Sequence, residues 1–98
     1  MAYKIVWTEK AIIERLHILQ FWIENNKSNT FSLKLNKLFI SSIRDVAKRP
    51  SIGRKTEFFN TRVKTVREYL IFYEVVKKDL VVLVVWDSRR DPKSSKLR

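Results

Sequence analysis

The sequence has no cysteine, one histidine, one glycine and two prolines among its 98 residues. Without cysteine there is no disulfide framework, thiol nucleophile or thiolate metal site, a composition that suits a reducing compartment. A lone histidine removes every His-pair mechanism and most remaining metal chemistry. One glycine cannot build a phosphate loop or a dinucleotide fingerprint, and neither a zinc pattern nor a nucleophile elbow is present. The longest apolar run, Leu80 to Trp86, falls far short of the ~20 residues of a spanning helix. The opening Met-Ala-Tyr-Lys lacks the apolar stretch of a signal peptide. The expectation is therefore a cytoplasmic protein with no membrane partner, no metal and no cofactor.

Acidic residues are also few. Ten of them stand against 21 lysines and arginines, giving a formal net charge of +11 and a pI near 10.3. The excess is uneven: residues 44–67 alone hold eight basic and two acidic side chains, whereas residues 68–86 are slightly acidic. Such clustering points to a polyanionic or acidic partner more than to general solubility. A 45% hydrophobic content is ordinary for a globular chain, and this length supports one modest core but not a second domain.

Periodicity divides the chain into two halves. Tyr3 to Trp7 alternates and is β-branched and aromatic, predicting a first strand. Thr8 is placed to cap a helix, with Glu9 favourable to its dipole, and Ile12, Leu16, Leu19 and Ile23 recur at helical spacing. The polar run Asn25 to Asn29 is the turn. Asn29 or Thr30 begins a second helix with an apolar stripe through Phe31, Leu35, Leu38, Phe39, Ile43 and Val46, which Pro50 ends. Beyond the connector Arg49–Lys55 the period changes from 3.6 to 2. Thr61–Val66, Tyr69–Val76 and Leu80–Trp86 predict three strands in an antiparallel meander, with the first strand at an edge or beside the last. Arg67-Glu68 is poor chemistry for a two-residue turn, which predicts a longer loop or bulge there.

The expected fold is α+β: two N-terminal helices packed on a small, mainly antiparallel four-stranded sheet, in the order strand-helix-helix-strand-strand-strand. A single domain spans residues 1–92, followed by a basic tail over 93–98. The expected core sets Ile12, Leu16, Leu19, Phe31, Leu35, Leu38, Phe39 and Val46 against Ile71, Tyr73, Val82 and Val84.

Alternation sends Arg62 and Lys64 to one face of their strand, about 7 Å apart, where a phosphate backbone is their natural ligand. Tyr69 and Tyr73 share a face of the next strand and Trp86 closes the last. They serve either to stack unpaired bases or to fill the core beneath the helices, and for Tyr73 and Trp86 the core is the stronger reading. Alternation alone does not say which face the helices cover. His17 has no assigned role.

The run Val66–Val75, followed by Val82–Pro92 with its Trp86-Asp87-Ser88-Arg89-Arg90-Asp91-Pro92 ending, resembles the C-terminal half of RelE/ParE toxins of bacterial type II toxin–antitoxin systems. Arg49-Pro50-Ser51-Ile52-Gly53-Arg54 is similar to the loop after their helical hairpin. The resemblance covers residues 3–92. It implies a toxin of the plasmid-stabilisation type, neutralised by a cognate antitoxin, with one of two activities. RelE-like members are metal-independent endoribonucleases that cleave ribosome-bound mRNA by attack of its own 2′-OH. ParE-like members poison DNA gyrase by binding it. A catalytically degenerate toxin-like binding protein is a third possibility.

In the nuclease reading, which the charge favours, the resemblance makes Arg62 and Lys64 the pair that approaches the scissile phosphate. Arg89 or Arg90 stabilises its developing charge, and Arg54, Lys55, Arg67 and Tyr69 contact RNA. Two departures count against it. Leu70 stands where the nucleases place an Arg, and Asp87–Ser94 contains neither the His nor the Tyr that serves as general acid.

Overall fold

The computed structural model describes residues 2–26, 28–58 and 60–88. Strand β1 (Lys4–Trp7) leads through Thr8 into helix α1 (Glu9–Asn26), and helix α2 (Thr30–Lys48) returns antiparallel to it. A 3-10 turn (Pro50–Ile52) and a two-residue strand β2 (Arg54–Lys55) connect to β3 (Thr61–Val66), β4 (Tyr69–Val76) and β5 (Asp79–Asp87). The sheet has five strands in the order β1-β5-β4-β3-β2, not the four expected from the sequence. The additional strand is β2, whose two residues pair antiparallel with Val63 and Arg62. A strand that short carries no readable alternation. β1 lies at the opposite edge, parallel to β5, with Lys4 against Asp79 and Trp7 against Val82.

Local chemistry accounts for the first helix. The Thr8 hydroxyl accepts from the Ala11 amide at 3.1 Å, the N-cap geometry expected of that position. The same hydroxyl donates to the Leu83 carbonyl at 2.9 Å, so the cap also fastens the helix to β5. α2 starts differently: Asn29 makes no side-chain cap. Instead the Ser28 hydroxyl accepts from the Thr30 amide at 3.2 Å. Both hairpins close with two residues, since Val66 pairs with Tyr69 and Val76 with Asp79. Arg67 and Lys77 take positive φ, at 55° and 57°, in these tight turns. The longer loop expected at Arg67-Glu68 does not form. The pairing that places Tyr69 and Ile71 in the core outweighs the local preference of the turn residues.

The helices cover one face of the sheet. Ala11, Leu35, Phe39, Ile43 and Val46 meet Tyr69, Ile71, Tyr73, Leu80, Val82 and Val85 in a single buried cluster, with Ile18, Leu19, Trp22 and Phe31 packed on its margin. Two expected members of the first-helix stripe are outside it, because Ile12 is 39% and Leu16 53% exposed. α1 is rotated so that Ala11, Ile18 and Trp22 face the sheet. Val84 is buried as expected, but on the other face of the sheet from the helices. A bulge in β5 opposite Phe72 and Tyr73 shifts the register, pairing Phe72 with Val84 and Tyr73 with Val82. Val84 therefore joins Phe72 on the face away from the helices, and Val85 takes its place in the core.

Candidate functional site

The strand pairing settles which face each candidate occupies. Arg62 lies opposite Tyr73, Lys64 opposite Ile71 and Val66 opposite Tyr69, and paired residues of an antiparallel ladder share a face. Arg62 and Lys64 therefore do stand on one face, and it is the face that carries the helices. Each is half-buried.

Arg62 is engaged by the connector. Its Nη1 donates to the Gly53 carbonyl at 2.7 Å and approaches the Ser51 carbonyl at 3.4 Å. Beside it the Tyr73 hydroxyl donates to the Pro50 carbonyl at 2.6 Å and accepts from the Gly53 amide at 3.0 Å. The result is a latch in which two sheet side chains hold the backbone of Pro50, Ser51 and Gly53. Burial raises the Tyr73 hydroxyl pKa above the usual phenol value, while the Gly53 hydrogen bond and the Arg62 charge pull it back in part. A raised folded pKa means that the neutral hydroxyl contributes its full stability below the ordinary tyrosine range, near ~10, and loses it as pH rises through the folded value. Unfolding midpoints should accordingly fall on the alkaline side of that range, and Tyr73→Phe should flatten the fall. An unaltered alkaline limb in the variant would assign the loss to other groups.

The remaining candidates are dispersed. Tyr69 is 2% exposed, accepts a hydrogen bond from Trp22 Nε1 at 2.7 Å and lies edge-on to Phe39 at 5.6 Å. It is a core residue, so the expected base-stacking contact is corrected: a buried ring offers no face to RNA. Arg67 sits over the Phe31 ring at 5.9 Å, and Arg54 and Lys55 are exposed on β2. Arg89 and Arg90 lie outside the described residues. Leu70 pairs with Trp86 on the face of the sheet away from the helices.

A cavity of about 760 Å³ at the connector end of the sheet is lined by Lys55, Arg62 and Tyr73, but also by Glu57 and Glu74. Two carboxylates beside two cations make it a mixed environment, not an anion cradle. A second cavity, of about 400 Å³, lies between α1 and the end of β5 and includes His17, Phe21, Tyr69 and Asp87. On its wall the Glu14 carboxylate accepts from the Val85 amide at 2.9 Å, closing the stretch of β5 edge beyond β1. No group of His, Cys, Asp or Glu among the described residues is arranged to hold a metal ion. Nor is any described helix long and apolar enough to cross a membrane.

The face of the sheet away from the helices is mixed, since Thr61, Thr65, Glu74 and Arg54 share it with an apolar group in which Val63 and Val84 are buried. Val63, Leu70, Phe72, Val84 and Trp86 form that apolar group by strand pairing; Arg62 and Lys64 lie on the other face, whereas Arg54 pairs with Val63 at the β2 edge of it. The latch formed by Arg62, Tyr73 and Gly53 was not foreseen from the sequence. Its one visible sign there is that the only glycine stands in the connector.

Comparison with known proteins bears on this arrangement. Residues 5–92 match the family described as ParE toxin of type II toxin-antitoxin system, parDE. No curated protein matches. Among solved structures, a chain of the chromosomal ParDE TA system from P. aeruginosa superposes with a TM-score of 0.78, covering 88% of this chain and 96% of that one. At 17% identity that likeness shows the fold alone. The family match takes in nearly the whole chain, helical hairpin and meander together, and the chain therefore belongs to the ParE toxin family of type II toxin–antitoxin systems.

Proposed function

We propose that the protein is a toxin that acts by binding, with DNA gyrase as its target, and that a cognate antitoxin neutralises it. The observation that carries this reading is the apolar group on the sheet face away from the helices, where Leu70, Phe72 and Trp86 are partly exposed beside the buried Val84. A ribosome-dependent nuclease needs cations converging on a scissile phosphate, since fixed charge aimed at the developing phosphorane is its main catalytic resource. Here Arg62 is spent on the connector carbonyls, and Leu70 occupies the position of the missing cation. An apolar patch framed by a strongly basic surface suits a protein partner that is itself acidic or bound to DNA. Membership of the ParE family adds to the same reading.

Purified protein added to gyrase, DNA and ATP is expected to inhibit supercoiling and accumulate cleaved DNA complexes. Translated mRNA in a parallel reaction should stay intact by primer extension. Discrete cuts in ribosome-bound mRNA, with supercoiling unaffected, would instead restore the nuclease, and Lys64→Ala would then be the variant to abolish them. The antitoxin is expected to suppress whichever effect is seen.

A further inference from the structure

Three segments far apart in the sequence meet at the end of the sheet where β1 begins. The Tyr3 amide donates to the Ala47 carbonyl at 3.0 Å, and the Lys4 amide donates to the Lys78 carbonyl at 3.1 Å. These bonds bring Lys4 of β1, Lys48 and Arg49 at the close of α2, and Lys77 and Lys78 of the turn between β4 and β5 to one end of the molecule. All five are exposed. Lys4 is further held opposite Asp79 by the parallel pairing, and Lys77 takes its φ of 57° within the two-residue turn. Backbone pairing therefore gathers these cations, whatever their side chains do.

Local roles account for part of this charge. Cations at the end of a helix complement its dipole, which covers Lys48 and Arg49, and a lysine on an edge strand discourages strand addition, which covers Lys4. Neither role calls for Lys77 and Lys78, nor for all five to meet. Asp45, Glu74 and Asp79 stand at the same end, yet none of the five cations forms an ion pair with a described residue. The surface is thus left with unneutralised charge. Stacking groups are missing from it as well: Phe21 is the one exposed aromatic side chain among the described residues, and it lies near Asp87 at the other end of β5.

We propose that this end of the sheet is a contact surface for the phosphate backbone of duplex DNA, made without base readout. The inference deepens the gyrase reading and rests on it for the duplex it meets, the one that the enzyme holds; the apolar sheet face then serves the protein and the basic end its DNA. Chemistry selects the partner. Single-stranded RNA is held by rings stacked on splayed bases as well as by charge, whereas a duplex is held through its phosphates by lysine and arginine alone. An acidic protein surface fits less well, because lysine is depleted in protein interfaces and four of these five residues are lysines.

The test titrates the full chain against a labelled duplex of roughly 20 base pairs and arbitrary sequence, by fluorescence anisotropy between about 50 and about 200 mM salt. Five phosphate contacts should make the logarithm of affinity fall with the logarithm of salt at a slope of about −4.5. Lys4→Gln, Lys48→Gln, Lys77→Asn and Lys78→Gln together should bring the slope to about −1 and weaken binding about a hundredfold or more at the lowest salt. Asparagine is chosen at Lys77 because it tolerates positive φ, and thermal unfolding should match the parent. Lys48→Gln with Lys78→Gln alone should remove about two from the slope, a second reading should the fourfold variant fail to fold. Lys10→Gln, Lys34→Gln, Lys37→Gln and Arg54→Gln remove the same charge at other exposed positions and should leave the slope close to the parent's. Equal losses in the two fourfold variants would spread the contact over the whole basic surface and overturn the proposal. No binding by the parent, or tighter binding of single-stranded RNA of the same length, would overturn it too. Duplex binding at this end by a parent that leaves supercoiling untouched supports the surface and removes gyrase as the target.

Discussion

Gly53→Ala is expected to lower stability by about 2–4 kcal/mol, a fall of roughly 10–25 °C in Tm for a domain of this size. The backbone is not the reason. Gly53 has φ −74° and ψ 156°, a conformation open to any residue. Space is the reason: a Cβ would overlap the Tyr73 hydroxyl and stand 2.8 Å from ring atoms Cε1 and Cζ. Tyr73 is 1% exposed and wedged in the core, so the connector must give way. It would take with it the bonds from Tyr73 to Pro50, from Gly53 to Tyr73 and from Arg62 to Gly53. Urea or thermal unfolding measures the cost. In the double variant with Tyr73→Phe the costs should sum to less than the two singles, because each change removes part of what the other disrupts. Full additivity would show that the two groups do not share a site.

Much of this arrangement could be read in the sequence, and the misses have specific causes. The limits of β3 follow from its alternation, and those of β4 from its aromatic and β-branched residues between the short breaks Arg67-Glu68 and Lys77-Lys78-Asp79. The helical hairpin was placed by the apolar stripe of α2 and the stops at Asn25–Asn29 and Pro50. The rotation of α1 was not, since Ile12, Ile13, Leu16, Ile18, Leu19, Phe21, Trp22 and Ile23 leave no side of it wholly polar. Periodicity then offers two faces, and only packing against β5 chooses Ala11, Ile18 and Trp22. For the candidate site, alternation correctly joined Arg62 to Lys64 but carried no information on which face the helices take. The engagement of Arg62 depends on backbone carbonyls at Ser51 and Gly53, which no side-chain pattern encodes.

Phe39→Ala is the second substitution with a large expected effect, about 3–5 kcal/mol. Phe39 has no exposed surface, and its ring meets Tyr69 edge-on with centroids 5.6 Å apart. Removal loses the transfer free energy of the ring, opens a cavity between α2 and β4, and ends an aromatic contact. Tyr69 also receives the Trp22 hydrogen bond, so the loss reaches α1 as well. Leu16→Ala supplies the contrast within one protein. At 53% exposed it should change stability by no more than about 0.5 kcal/mol. Equal costs at the two positions, measured by denaturant unfolding, would reverse the burial assigned to the two helices.

The pairing of β1 with β5 has a consequence for how the chain comes into being. Its first strand is made at the start of synthesis and finds its hydrogen-bonding neighbour only at Asp79–Val82, near the end. β4 waits for the same strand on its other edge. Every nascent chain shorter than this therefore has β1 without a strand neighbour, β4 open on one side and the helices without most of their floor, so the cooperative fold arrives late. A product terminated early is thus not a weaker form of this protein but an unfolded one. For a member of a toxin family, the length of translation itself separates the synthesis of the polypeptide from the appearance of a folded product.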